Sequence, residues 1–405
     1  MARRRYLTVA LASVLALSGC SHAVDGHLIA TPAPKLDTGN FPTTPHQVGA
    51  PKTPADAWLQ EGWRMADGVV APWSVDPALI HAVPDLNEFP NNFPLVSPLQ
   101  VKPGSDQAGK LAFFTADQAQ YLIGSPFLGG FITTVSDDPE NPTRTLATGM
   151  LRFADAAAAT RAFDALTASS GALPDGFPNI NGAKVLNTTG GAQPHGLAVA
   201  TVKGDLLLLT HATGPTDSQV AGLAGKALTA QLAKTDDYHP TLYDGTPPLQ
   251  VPMDSGGIMT RTLPNAPDTQ YNSALGLSAD NSLLFGYRTP YAWSLQYPDD
   301  AANRMQESAE YGIDLITESS VGAVFRTRDA DTARQLLTHR AHGPSSSESR
   351  IIGIPDELAR CGKSVEGSYA CGVAYGRYYA QLSGKNLILL KKAAAAQYLI
   401  LKNAG

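Results

Sequence analysis

The chain contains little of what marks a nucleic-acid-binding or metal-binding protein. Only 16% of its 405 residues are charged, and the formal net charge is −6. No basic run follows Arg5, whereas a nucleic-acid-binding protein normally presents a basic face to the phosphates. We therefore exclude nucleic acid as a partner. Cysteine is also scarce, with three in the chain. They supply too few ligands for a structural zinc site, and we predict no metal and no cofactor.

Long apolar runs are absent as well. No window after the N-terminus holds the eighteen or so consecutive apolar residues that a transmembrane helix needs. The N-terminus itself has a basic stretch, Arg3-Arg4-Arg5, and an apolar stretch over 7–17 that is too short to span a bilayer. Small residues and Cys20 follow directly. This order predicts a signal peptide over residues 1–19.

Leu17-Ser18-Gly19-Cys20 resembles the lipobox of bacterial prolipoproteins. The resemblance implies cleavage before Cys20, a diacylglyceryl thioether on its sulfur, and a location on the outer face of the cytoplasmic membrane. Two or three acyl chains hold a protein on a membrane far better than one. The alternative is an ordinary secretory signal that happens to contain a cysteine.

The other two cysteines, Cys361 and Cys371, are separated by nine residues. If Cys20 is acylated outside the cytoplasm, they form an even pair in an oxidising compartment. We therefore predict a disulfide that closes a hairpin or loop near the C-terminus. The alternative is a pair of buried free thiols.

Composition divides the mature chain into four parts. Residues 20–55 are rich in proline and threonine and predict an extended tether. A first folded domain covers 56–237, a proline-rich linker covers 238–268, and a second folded domain covers 269–405.

Both predicted domains follow the order strand, helix, loop strand, hairpin, helix. The first domain opens with a helix over 55–71 that Pro72 ends, and its later elements are expected at 148–153, 154–169, 183–187, 196–210 (turning at 203–205) and 218–234. The second is expected to have them at 321–327, 329–340, 351–355, 369–390 (turning at 383–386) and 393–401. This order predicts an α+β fold of two similar units from an internal duplication, each an antiparallel sheet covered by helices on one face. Two unrelated α+β domains are the alternative.

Several motifs distributed along the chain point to one family. They are Leu36-Asp37-Thr38-Gly39-Asn40-Phe41-Pro42-Thr43-Thr44-Pro45, Arg64-Met65-Ala66-Asp67, Val75-Asp76-Pro77, Arg261-Thr262-Leu263-Pro264, Tyr311-Gly312-Ile313-Asp314, Gly376-Arg377-Tyr378 and Ala394-Ala395-Ala396-Gln397-Tyr398. With these motifs the whole chain resembles an uncharacterised lipoprotein family of mycobacteria and related actinobacteria. The resemblance implies an envelope location and this architecture, but no reaction and no catalytic residues.

Two triplets invite comparison with proteases. Asp37-Thr38-Gly39 and Asp254-Ser255-Gly256 resemble the paired motifs of pepsin-like enzymes, in which two aspartates share a proton. Asp37 lies in the predicted tether with no strand before it, and no positioned histidine accompanies Ser255 as a serine nucleophile requires. We therefore predict no enzyme, with an unrecognised extracytoplasmic hydrolase as the alternative.

Tyrosines are concentrated near the C-terminus. Among them, Tyr375, Tyr378 and Tyr379 are the candidate ligand-facing residues, because ligand sites are apolar clefts with a few polar groups. The alternative is that they fill one face of a sheet. His339 and His342 are three residues apart at a predicted helix end, where solvated histidines are expected rather than metal ligands. The sequence thus favours a lipid-anchored cell-envelope protein that binds a protein, lipid or glycan partner.

Overall fold

The computed structural model describes most of the chain beyond Lys35. The described residues are 35–83, 93–94, 118, 121–122, 125–168, 170–186, 195–264, 286–341, 349–363 and 367–405. The predicted signal peptide, Cys20 and His342 lie outside them. No helix in these ranges is long and apolar enough to cross a membrane.

The first domain is built on a seven-stranded antiparallel sheet. Its elements are α1 (Pro54–Ala66), α2 (Pro72–Val75), β1 (His81–Ala82), β2 (Phe93–Pro94), β3 (Phe127–Ser136), β4 (Thr145–Phe153), α3 (Ala156–Leu166), β5 (Lys184–Leu186), β6 (His195–Lys203), β7 (Leu206–Gly214) and α4 (Asp217–Lys234). The strand order is β1-β3-β4-β7-β6-β5, and β2 also pairs with β3. Helix α1 begins where Thr53 and Asp56 form a capping box ahead of Pro54.

The second domain is built on a six-stranded antiparallel sheet. Its elements are β8 (Tyr287–Arg288), α5 (Pro290–Gln296), α6 (Ala301–Tyr311), β9 (Leu315–Ser319), β10 (Gly322–Arg326), α7 (Ala330–Ala341), β11 (Ala359–Lys363), β12 (Tyr369–Tyr375), β13 (Tyr378–Gly384) and α8 (Leu387–Asn403). The strand order is β11-β12-β13-β10-β9-β8.

The two sheets share one connectivity. In the first domain five strands lie in the order β3-β4-β7-β6-β5, and in the second the corresponding five lie in the order β9-β10-β13-β12-β11. Along the chain, a helix follows β4 and β10 (α3 and α7), and another follows β7 and β13 (α4 and α8). The α+β class with two similar antiparallel units is thereby confirmed, and the shared topology is what an internal duplication predicts.

Helices cover both faces of each sheet, which corrects the prediction of one covered face. In β4, Leu146 and Met150 pack in the cluster that includes α1 and α4, while Ala147 and Leu151 pack in the cluster that includes α3. Alternate side chains of a strand point to opposite faces. In β10, Val324 likewise packs with α8 and its neighbour Phe325 with α7. The difference arises because both faces of the central strands carry apolar side chains.

The two hairpins turn at different points relative to prediction. The predicted turn at 203–205 is confirmed, since Lys203 pairs with Leu206. In the second hairpin Tyr375 pairs with Tyr378, so the turn is Gly376-Arg377 rather than 383–386. Gly376 supplies the positive φ of +54° that this tight turn needs. Residues 383–386 instead lead into α8, where Asn386 Oδ1 accepts a hydrogen bond from the Leu389 N–H at 3.1 Å.

Other element bounds also differ from prediction. Helix α1 ends at Ala66, and Pro72 begins α2 instead of ending α1, because proline fits the first turn of a helix. Residues 351–354 form a turn, and the third strand of the second unit is β11.

Part of the predicted tether is packed. Leu36, Phe41 and Val48 lie against the core of the second domain. Asn403 Nδ2, near the end of α8, donates a hydrogen bond to the Thr43 carbonyl at 3.0 Å. Residues 36–48 are therefore packed on the folded body, because these apolar side chains, spaced between prolines, are partly buried against α8 and its neighbours.

The two domains meet around α1. The Gln60 side chain is fully buried and donates through Nε2 to the Tyr287 carbonyl at 2.9 Å, while its Oε1 accepts from the Tyr287 N–H at 3.0 Å. Ala292 and Leu295 of α5 pack in the core cluster of the first domain. Residues 36–405 accordingly form one compact unit.

Candidate functional site

Cys361 and Cys371 form a disulfide. They lie directly opposite each other in the antiparallel pair of β11 and β12, and both are buried. The bond therefore closes the β11–β12 hairpin, as the spacing predicts. The lipidation predicted at Cys20 lies outside the described residues.

The three candidate tyrosines do not converge on one site. Tyr375 and Tyr378 pack on the α8 side of the sheet. The Tyr375 ring lies edge-on to Tyr398, with 5.7 Å between centroids, and the Tyr378 hydroxyl donates to the Gly256 carbonyl at 3.3 Å. Tyr379 follows Tyr378 on the strand and therefore points to the other face.

Tyr379 is a core residue. Its side chain is 1% exposed and stacks on Phe325 with 5.8 Å between centroids. Burial raises the pKa of its hydroxyl to about 12. Tyr379 therefore supports the floor of the sheet face that carries α7 and does not itself face solvent.

The two protease-like aspartates are local turn acceptors. Asp254 accepts hydrogen bonds from the Met259 and Thr260 N–H groups at 3.0 and 3.1 Å and from Thr260 Oγ1 at 2.7 Å. Asp37 accepts from the Gly39 N–H at 3.1 Å and lies 3.2 Å from Lys392 Nζ, and both contacts lower its pKa. Nor do the described ranges contain a group of three or more His, Cys, Asp or Glu side chains that could hold a metal ion.

A buried ionic cluster surrounds Glu61 on α1. Its carboxylate accepts from Arg152 Nη1 at 2.7 Å, Arg64 Nη1 at 2.8 Å, the Thr241 N–H at 3.0 Å and Thr241 Oγ1 at 2.7 Å, and also from the Tyr238 hydroxyl. Burial by itself would raise the pKa of Glu61, but Arg64 and these hydrogen bonds lower it below the ordinary value. Because five donors occupy the two oxygens, this cluster ties segments together and offers no acceptor to a substrate.

A cleft of about 610 Å³ opens on the α7 side of the second sheet. We call it the Arg304 cleft. Its lining residues come from the α5–α6 region, β9, β10, α7 and β13, and they are Trp293, Tyr297, Asp300, Asn303, Arg304, Glu307, Glu318, Ser319, Ser320, Gly322, Ala323, Phe325, His339, Arg340, Gln381 and Ser383.

Most charged groups of the Arg304 cleft are fully engaged. Glu318 accepts from Trp293 Nε1 at 3.2 Å and from the Tyr297 hydroxyl at 3.3 Å, and it pairs with the buried Arg288.

Arg340 is held in the same way. Its Nε lies 2.8 Å from Glu307 Oε1, its other nitrogens reach the second Glu307 oxygen and Gln381, and its guanidinium carbon lies 4.4 Å from the Phe325 ring centre. Burial alone would lower the pKa of Arg340, but Glu307 raises it above its ordinary value.

Arg304 on α6 is different. Its guanidinium carbon lies 4.0 Å from the Trp293 ring centre and 4.2 Å from that of Tyr297. Its Nε is 3.3 Å from Asp300 Oδ2 but is buried and makes no hydrogen bond. Burial lowers its pKa. Within the part of the chain that the structure describes, Arg304 thus has a carboxylate nearby, Asp300, but its buried Nε makes no hydrogen bond.

The spacing of aromatic and charged residues before Arg304 is a sequence signal for this site, which was not among the predicted sites. Trp293, Tyr297, Asp300 and Arg304 follow one another at intervals of four, three and four residues, which brings side chains to one side of a helical segment. Aromatic residues at this spacing ahead of an arginine favour a stacked guanidinium.

Comparison with known proteins establishes a family but no activity. The search of curated proteins finds no match. The extracellular domain of PknH from Mycobacterium tuberculosis is similar over 32% of this chain and 76% of that one, with 14% sequence identity and a TM-score of 0.20. Residues 48–251 match the N-terminal domain of unknown function DUF7373, and residues 258–404 match its C-terminal domain. The chain therefore belongs to the DUF7373 family.

Proposed function

We propose that this chain is a lipid-anchored, non-enzymatic binding protein of the cell envelope, and that the Arg304 cleft binds an acidic glycan. One observation carries the proposal. Arg304 is a mostly buried cation whose carboxylate neighbour Asp300, 3.3 Å from Nε, makes no hydrogen bond with it, while Arg288 and Arg340 beside it are hydrogen-bonded to carboxylates.

A buried charge is costly unless a hydrogen-bonded partner compensates it. A carboxylate is the partner that fits a guanidinium best, because two parallel N–H···O bonds match its planar geometry. Trp293 and Tyr297 already fix the orientation of the guanidinium. A ligand therefore orders little of the protein when it binds, which favours affinity.

The rest of the lining suits hydroxyl groups. Asn303, Ser319, Gln381 and Ser383 line the cleft with amides and hydroxyls, and Trp293 is covered by Arg304 rather than presented to an apolar ligand. The volume falls in the range of about 300–1,000 Å³ that is common for small-molecule sites. A sugar acid combines the carboxylate and the hydroxyls that these groups bind.

The location and the absence of catalysis rest on separate arguments. The lipobox before Cys20 favours a lipid anchor, and the Cys361–Cys371 disulfide favours an oxidising compartment. A catalytic carboxylate, whether it acts as general acid, general base or nucleophile, needs an oxygen that is free to reach the substrate. Glu307 and Glu318 in the cleft are instead committed to arginine partners.

Calorimetric titration tests the ligand. The mature chain with Cys20→Ser is titrated with glucuronic acid and, in parallel, with its uncharged methyl ester. We expect the acid to bind and Arg304→Gln to weaken it at least about tenfold, the equivalent of losing a charge-assisted bond of about 1.5–3 kcal/mol. Arg334→Gln is the matched control, because Arg334 is partly exposed, pairs with Asp331 on its own helix and does not line the cleft.

Two results would overturn this assignment. One is equal affinity for the acid and its ester, and the other is unchanged affinity in Arg304→Gln. The anchor is tested independently by the mass of the N-terminal peptide from membranes, which should carry a diacylglyceryl group on Cys20.

A further inference from the structure

Two large apolar side chains are exposed at the start of α8. Ile388 is 72% exposed and Leu389 is 54% exposed, although the next residue, Leu390, is buried in the core of the second domain. They lie in the first turn of the helix, and the exposed Lys385 precedes Ile388 by three residues. Lys391 follows Ile388 by three residues, so it lies on the same side of the helix.

The sheet adds another lysine at this end. Lys363 ends β11 and pairs with Tyr369 of β12, which in turn pairs with Gly384 at the end of β13. Lys363, Tyr369 and Gly384 are thus neighbours across β11, β12 and β13. The exposed Lys363 therefore lies at the same end of the sheet as Gly384, from which the chain continues into α8. We call Lys363, Lys385, Ile388, Leu389 and Lys391 together the α8 surface: two exposed apolar side chains accompanied by three lysines.

The N-terminal segment enters the domain at the same place. Asp37 Oδ2 lies 3.2 Å from Lys392 Nζ, near the start of α8, whereas Thr43 contacts Asn403 near its end. Residues 37–43 therefore run along α8 in its own direction. Lys35 and Leu36, the first residues that the structure describes, therefore lie toward the start of α8.

Chain length sets how far this surface can lie from a lipid anchor. Fifteen residues separate Cys20 from Leu36. Even fully extended, they reach at most about 55 Å. An anchor on Cys20 therefore keeps the α8 surface within reach of the bilayer.

We propose that the α8 surface docks on a bilayer that contains anionic lipids, with Ile388 and Leu389 in the interface and the lysines at the headgroups. This inference rests on the proposed lipid anchor for its location. Exposed apolar side chains flanked by lysines are the combination that binds peripheral proteins to anionic membranes.

Docking through the α8 surface would leave the Arg304 cleft open. Helix α8 packs on one face of the second sheet, and the residues that form the cleft belong to the other face. With α8 against the membrane, the cleft lies on the side of the sheet away from α8 and is open to material outside the membrane.

Vesicle co-sedimentation tests the docking without the anchor. The mature chain with Cys20→Ser is mixed with vesicles of phosphatidylglycerol and phosphatidylcholine, and with vesicles of phosphatidylcholine alone. We expect binding to the anionic vesicles that weakens as salt is added. The double variant Ile388→Ser/Leu389→Ser should weaken it about tenfold or more. Leu242→Ser, which changes a side chain that is 92% exposed elsewhere, should bind like the parent.

Three results would overturn the proposal: no binding to anionic vesicles, equal binding to neutral vesicles, or unchanged binding of the double variant with its thermal unfolding intact. Sedimentation analysis adds a fourth, a dimer that the double variant abolishes, which would assign the surface to a second copy. Because the tested chain has no acyl group, its result is independent of the mass measurement on Cys20. Failure of the anchor and failure of the docking surface are thus distinguished.

Discussion

At the scale of single residues, Glu61 shows why a buried charge in this protein is structural. Arg152 is 4% exposed, and Glu61 is its fully buried partner, beside the more exposed Asp205. We expect Glu61→Gln to lower the free energy of unfolding by about 3–5 kcal/mol, the usual cost of leaving one partner of a buried ion pair. Urea unfolding measures the change. Asp164→Asn is the control, because Asp164 pairs with Lys184 at the surface and should change stability little. Equal effects of the two variants would contradict this role.

Asp67, directly after α1, should make stability depend on pH. Burial raises its pKa from 3.8 to about 6, against the hydrogen bond from Thr289 that lowers it. The folded protein therefore holds this proton more tightly than the unfolded chain does. Its stabilising contribution is complete below about pH 4 and is lost as the pH rises through 6, a total of about 2–3 kcal/mol.

The Asp67→Asn variant isolates this contribution. Urea unfolding between pH 4 and pH 7.5 should show the parent losing stability relative to the variant as the pH rises. His211, whose pKa burial lowers to about 4, contributes with the opposite sign, but it is present in both proteins and cancels in the difference. A difference that stays constant across this range would contradict the raised pKa.

Some residue roles could be predicted from the sequence, and others depend on distant partners. Cys361 and Cys371 could be paired because few cysteines are present and their spacing is short. The importance of Arg304 could not be derived in this way. It arises because Glu318, the nearest strong acceptor on β9, is occupied by Arg288 from β8. Arg288 rather than Arg304 pairs with Glu318, because β8 lies beside β9 in the sheet.

At the scale of elements, helix α4 contains two glycines in different surroundings. A Cβ atom on Gly225 would lie 2.2 Å from Pro178 Cδ, while one on Gly222 would meet nothing within 4 Å. We expect Gly222→Ala to stabilise the protein by about 0.5–1 kcal/mol, because alanine is the better helix former. Gly225→Ala should destabilise it, because the loop that carries Pro178 has to move. Thermal unfolding of the two variants compares them within one helix, and shifts of the same sign would contradict this packing.

The order of elements was predictable where apolar periodicity is strong, and their ends depend on capping. The strand before α7 and α7 itself lie close to their expected positions. The predicted turn of the second hairpin is wrong because residues 383–386 and 376–377 both contain a glycine. The sequence pattern does not show which of the two segments forms the turn. Asn386 decides between them: its side chain caps α8, so this segment begins a helix and cannot turn the hairpin.

At the scale of the whole molecule, the two repeats are joined more closely than a linker between independent domains would allow. Residues 249–253 of the predicted linker contribute Leu249, Val251 and Met253 to a cluster with Ala57 and Leu128 of the first domain. Further along, Ile258, Met259 and Leu263 enter the core of the second domain. Apolar residues between the prolines therefore attach this segment to both domains, which composition alone does not reveal.

Gln60 should couple the unfolding of the two domains. Gln60→Ala leaves the N–H and the carbonyl of Tyr287 without their partner, and each buried unsatisfied group costs about 1–3 kcal/mol. Hydrogen exchange followed by mass spectrometry reads the slowest amides of β7 in the first domain and of β13 in the second. If residues 36–405 unfold as one unit, both strands exchange with the same opening free energy in the parent, and Gln60→Ala lowers both by the same amount.

Gln219→Ala on the exposed side of α4 serves as the control and should change neither opening free energy. A loss of protection confined to one strand would mean that the domains open separately, and the paired hydrogen bonds of Gln60 would then be a contact between independent units.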